Sequence, residues 1–179
     1  VSKYNLKKAS KHSKYHYPNY NNICLMLKYL RKPPKEKNSY NKYIYVKRKE
    51  GTSTGRRLTN EKKLEKTLFS LGFKTIYPED CSLEEQIMIF YNASIVIGVS
   101  GSALLNSIFC KKTSHVIELC PDVDFRPGVW LSTEISQSHH HFFFGPSEGK
   151  IVELKPERFS INTNLVIKRV QNIIKMINN

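Results

Sequence analysis

The chain places a run of small residues, Val99-Ser100-Gly101-Ser102, inside the stretch "NASIVIGVSGSALLNSIF" (92–109), between an apolar strand pattern and a short apolar helix pattern. Small side chains let a ligand approach the main chain closely. Unpaired amides and the positive end of the dipole at a helix start attract an anion. Hydroxyls at 100 and 102 add donors, and one of them suits a helix cap. The spacing is not G-x-G-x-x-G, and the earlier loop "GTSTGRR" lacks the G-K-[ST] of a phosphate loop. From the run alone, anion binding and plain turn geometry stand equally open.

Other residues could share that chemistry. Arg48 follows the strand pattern "YIYVKR", where a guanidinium can grip a phosphate with two donors; read in isolation it is a surface arginine in a basic region, as are Arg56 and Arg57. Glu118 lies between Ile117 and Leu119, and a carboxylate in a buried strand is either paired or used. Accepting from ribose hydroxyls and bonding a neighbouring loop are its two open uses. Asp122-Val123-Asp124 spells D-x-D, able to chelate a divalent cation, but reads here as a surface loop. His139-His140-His141 could offer alternate imidazoles to a metal, and reads more simply as an edge strand or loop. Trp130 and Phe142–Phe144 are expected in the core or at a domain interface.

The elements that would position these residues alternate. A helix around Ile23, Met26, Leu27 and Leu30 stops at Pro33 and Pro34. A strand at 43–48 follows, then a Gly/Ser/Thr loop and a helix from about Asn60 with Leu64, Leu68 and Leu71 in register and Gly72 beyond its end. "FKTIY" is a strand, and Ser82 with Glu85 forms a capping box that starts a helix running to about Tyr91. "SIVIG" is apolar on both faces, as in a parallel sheet. A helix from about Ser102 to Phe109, a strand "HVIEL" closed by Pro121, strands at "HFFFG" and "KIVEL", and an amphipathic C-terminal helix through Val166, Val170 and Ile173 complete the order. Such alternation predicts an α/β fold with an open parallel sheet. Arg48, the 98–102 run and Glu118 all fall near carboxyl ends of strands, where ligands bind in such sheets.

The 179 residues suit one domain, or one half of a two-domain enzyme. Cysteines at 24, 81, 110 and 120 lack C-x-x-C spacing. Cys110 and Cys120 read as small core residues, and the compartment as reducing. The net charge of +14 is unevenly spread: residues 1–66 carry 19 Lys/Arg against 4 Asp/Glu, and the rest 10 against 11. The basic first third implies an anionic partner, while residues 1–20 read as a solvated, flexible basic segment. No secretory signal or membrane-spanning run is visible, which points to a cytoplasmic protein, peripheral at a membrane through its basic third.

Taken together, "YIYVKR", "RRLTNE", "LGF", "PED", "SLEEQ", "NASIVIGVSGSALLN" and "VIEL", in this order and spacing over roughly residues 40–121, resemble glycosyltransferase family 61, the capsular-polysaccharide-type transferases. The resemblance implies a Rossmann-like open parallel sheet flanked by helices, one half of a GT-B enzyme, with residues 21–179 as the C-terminal, donor-binding half and an acceptor half expected upstream. It implies a donor site of Arg48, Arg57, Ser100, Gly101, Ser102, Asn106 and Glu118, with Asn60 and Gln86 as further matching positions. Arg48 would meet the diphosphate, and Glu118 the nucleotide. The implied activity is inverting transfer of a sugar from a nucleotide diphosphate sugar to a glycan or protein hydroxyl, without a metal cofactor. Two positions depart from the pattern: Ser100 stands where the family has His, and Ala103 where it has Gly. Those departures also suit a catalytically inactive member. A basic module binding nucleic acid is the further alternative, ranked lower for want of an RNA-binding aromatic motif.

Overall fold

The computed structural model describes residues 41–49, 57–123, 127–152 and 155–179. The helix read at 23–30 and the basic segment 1–20 lie outside them. The strands are β1 (Tyr43–Val46), β2 (Arg57–Leu58), β3 (Lys74–Ile76), β4 (Ile95–Val99), β5 (His115–Pro121), β6 (His139–Gly145), β7 (Ser147–Val152) and β8 (Lys155–Phe159). The α-helices are α1 (Glu61–Ser70), α2 (Leu83–Asn92), α3 (Gly128–Ser136) and α4 (Thr163–Asn178).

Five strands form one parallel sheet in the order β3-β1-β4-β5-β6. This is the Rossmann-like α/β arrangement expected. A second sheet, β2-β8-β7, was not foreseen. Its strands are short, and β2 has only two residues, too few for a readable period. Helix α3 was also unread, because Pro127, Gly128 and three hydroxyl residues mask its pattern.

Local chemistry explains most boundaries. The Ser82 hydroxyl accepts from the Glu85 amide while the Glu85 carboxylate accepts from the Ser82 amide, closing the expected capping box. Gly72, at φ 86°, turns the chain out of α1 as anticipated. Asn60, at the start of α1, donates to the Ile161 carbonyl at 2.7 Å and accepts from the Ile161 amide at 3.3 Å, tying α1 to the start of α4.

Period two divides the main sheet into two faces. One carries Tyr45, Ile95, Ile97, Ile117 and Leu119 against Leu64, Leu68, Val166, Val170 and Ile173 of α1 and α4, joined by Leu58 and Phe159. The other lies under the segment 102–109, as Leu104 against Gly98 shows. Cys110 and Cys120 are fully buried, as expected. Trp130 and Phe144, expected in the core or at a domain interface, are 37% and 53% exposed and so lie outside the core: α3 turns Trp130 outward, and Phe144 lies near the end of an edge strand.

His115 and His141 meet at the margin of the first face, Nδ1 to Nε2 at 3.0 Å, with Arg169 on the far side of His141. Burial, then His139 and Arg169, lower His115 to about 4 from an ordinary 6.5. Burial, Arg169 and the neighbouring imidazoles lower His141 likewise to about 4. Both are neutral when folded and take up protons more readily when unfolded. Stability is therefore full above about pH 6.5 and falls as pH drops toward 4. Partial exposure of His141 reduces the effect, and we expect roughly 2 kcal/mol lost for the pair at about pH 5. Melting curves of wild type and His141→Gln across this range check it, the variant showing the flatter dependence.

Candidate functional site

The order β3-β1-β4 reverses the direction in which strands are added, which makes the carboxyl ends of β1 and β4 the switch point where sheets of this kind form their ligand crevice. Val46 pairs with Gly98 at that boundary, which brings the residues after each strand face to face. Of three consecutive cations after β1, Lys47 pairs with Glu65 at 2.7 Å and Lys49 with Asp80. Arg48 instead reaches across the crevice, and its Nη2 donates to the Ser102 hydroxyl at 3.1 Å. A Cβ placed on Gly101 would lie 2.0 Å from that Nη2, so the guanidinium packs directly on glycine backbone.

The expected α-helix after the run is a 3-10 helix, Ser102–Phe109. Gly101 is its N-cap residue and supplies no side-chain cap, so neither hydroxyl caps it. The first internal bond runs from the Leu104 amide to the Gly101 carbonyl, which leaves the Ser102 and Ala103 amides at the open end. Ser100 is 2% exposed, and its amide donates to the Leu119 carbonyl. Its backbone is thus part of the sheet margin and not of the open end.

The structure brings Arg48, Gly101 and Ser102 into contact, and gives Ser100, Asn106, Arg57 and Glu118 contacts of their own. Asn106 donates to Gln86 at 2.7 Å, and Gln86 donates to the Pro78 and Cys81 carbonyls, which fastens the 3-10 helix to α2. Arg57 is exposed on β2, in register with Arg158 of the second sheet. Glu118 is fully buried beneath the covered face, with His140 Nε2 3.0 Å from its Oε2. That contact does not have hydrogen-bond geometry, so the carboxyl and the imidazole lie against each other without a formed bond. His140 Nδ1 lies 3.1 Å from the Thr133 hydroxyl, which itself donates to the Trp130 carbonyl. His140 therefore links β5 to α3, a role the sequence reading missed; strand alternation alone turns it away from His139 and His141.

Asp122 accepts from the amide and hydroxyl of Ser147, a turn contact in keeping with a surface loop; Asp124 lies outside the described residues. The histidine triplet forms the edge strand β6. Among the described residues no group of three His, Cys, Asp or Glu side chains is arranged to hold a metal ion. Among them, too, no helix is long and apolar enough to cross a membrane.

A doubly wound α/β domain with a guanidinium and a glycine turn facing each other at its switch point belongs to the broad class that binds ligands beyond strand ends. The sequence profile described as Glycosyltransferase 61 matches residues 4–117, and the chain belongs to this family. The match begins upstream of residues 40–121, which carry the resemblance, and takes in most of the basic segment. No curated protein matches the chain. Family membership implies glycosyltransferase activity, and with it a sugar donor and an acceptor as partners.

Proposed function

We propose that this domain binds the diphosphate of a nucleotide sugar between Arg48 and the Gly101–Ser102 turn, and transfers the sugar with inversion to a hydroxyl of a glycan or protein. The reach of Arg48 across the switch point to Ser102, over a glycine that leaves it room, carries the reading. In the transfer the acceptor oxygen bonds the anomeric carbon from one face as the bond to the diphosphate oxygen breaks on the other. The diphosphate leaves with the electron pair, and the acceptor proton passes to a base. Arg48 then stabilises the charge that develops on the diphosphate, aided by the Ser102 hydroxyl and the open amides at 102 and 103. With Ser100 in place of an imidazole, the guanidinium supplies the positive charge, and no resident metal is needed to do so. Glu118, being enclosed, packs in this reading against His140, which Thr133 of α3 holds, and does not meet the donor.

Calorimetric titration with UDP- and GDP-linked sugars tests the proposal. We expect saturable binding of at least one nucleotide diphosphate, lost in Arg48→Ala. A folded protein that binds none of them would refute it. The replacement at Ser100 favours one second reading, a member that binds donor without turning it over. Hydrolysis and transfer assays with the donor that binds separate the two.

A further inference from the structure

All five strands of the main sheet start at the edge opposite the crevice, and the helices that return over the sheet end there. This gathers Lys42 before β1, Lys74 at the start of β3, Lys111 and Lys112 before β5, and Lys175 in the last turn of α4, all exposed. The segments 41–43, 69–74, 91–94, 110–115, 136–139 and 174–179 contain no Asp or Glu. One acid, Glu134, stands nearby in the last turn of α3, which packs on the other face of the sheet. Acids such as Glu61, Asp80, Glu84, Asp122 and Glu148 fall instead toward the crevice edge.

Two large apolar side chains stand among these lysines. Phe69 and Met176, at 77% and 66%, are the most exposed large apolar residues described. The Asn60 bonds to Ile161 and Thr163 tie the starts of α1 and α4 together, so the helices run the same way toward this edge, the 16 residues of α4 reaching about 9 Å further than the 10 of α1. Phe69 and Met176 sit in those two last turns. At the same edge lies a recess of about 350 Å³, lined by Ser94, Thr113, His115, His139, Met176 and Ile177. Arg169 donates to His141 Nδ1, which puts the His141 proton on Nε2 and directs it to His115 Nδ1. His115 is then left with Nε2–H as a donor, beside two hydroxyls.

We propose that this edge docks on a membrane of anionic phospholipid, lysines on the headgroups, Phe69 and Met176 in the interface, and a lipid phosphate in the recess. Lysines without acids supply charge complementarity, and the apolar pair supplies what a purely electrostatic partner does not need. The crevice at the far edge stays open to donor. This inference stands apart from the proposed reaction.

The test is co-sedimentation of the full chain with vesicles of phosphatidylcholine alone, and with phosphatidylglycerol added. Binding is expected to the anionic vesicles only and to weaken with salt. Lys111→Ala with Lys112→Ala should lower the partition coefficient about tenfold or more, at roughly fivefold per lysine. Phe69→Ser with Met176→Ser should lower it by about tenfold. Lys62→Ala with Lys63→Ala, which removes the same charge at the start of α1, should leave it within about twofold. Absence of binding, equal binding to neutral vesicles, or edge variants that bind like wild type would each overturn the proposal. So would loss in the lysine pair with no change in the Phe69/Met176 pair, which marks a general polyanion site such as one for nucleic acid.

Discussion

Replacing Arg48 with Ala is expected to abolish measurable donor binding and to slow transfer by about 10²–10³-fold, some 3–4 kcal/mol of transition-state stabilisation. The fold should be untouched, because Arg48 is partly exposed in a loop and its bond goes to the exposed Ser102. Gly101→Ala gives the same result by another route. Its new methyl would stand 2.0 Å from Nη2 and 2.8 Å from Cζ of Arg48, and the far end of a flexible side chain is what yields. The guanidinium swings away, and the φ of 158° at this position adds backbone strain that the melting temperature reads separately. The double variant should therefore be no worse than either single one, the mark of two residues acting as a unit. Titration with the donor that wild type binds, together with melting temperatures of all three variants, checks it. Additive losses would show that Gly101 acts otherwise than by seating Arg48.

Gly145→Ala is expected to be the most destabilising single change. Its methyl would lie 1.7 Å from the Ser160 carbonyl oxygen and 2.8 Å from the Ser160 carbonyl carbon, so backbone meets backbone and no side chain can give way. The crossing is fixed on both sides. The Asp122 amide donates to the Gly145 carbonyl at 3.0 Å, and the Ser160 amide donates to the Pro146 carbonyl at 3.2 Å. Opening it separates the end of β6 from the end of β8, and with them the two sheets. We expect a loss of about 3 kcal/mol or more, which in a chain of this size lowers Tm by about 10 °C. A Tm near that of wild type would show that the strands part at little cost.

Much of this architecture was written locally. The Ser82–Glu85 box, the αL turn at Gly72, the doubly apolar "SIVIG" and the α4 stripe through Val166, Val170 and Ile173 each depend on neighbours within a few residues, and each appears where the pattern put it. Helix α3 and the second sheet did not show. A two-residue strand such as β2 exists only because β8, about 100 residues further on, pairs with it. The 3-10 form of residues 102–109 is likewise set by what holds them, Asn106 to Gln86 and Leu104 over Gly98.

The site divides in the same way. The sequence by itself determined the family, the alternation of strands and helices, and the chemical character of Arg48 and the Ser-Gly-Ser run, since residue type and order belong to the covalent chain. Only the tertiary structure decided which of these residues meet. The reversal of strand order at β1 and β4 joins Arg48 to Ser102, whereas period two points Glu118 beneath the covering helices toward His140, and pairing with Arg158 carries Arg57 to another sheet. Strand order and strand face are properties of packing between distant segments, and no local pattern encodes them.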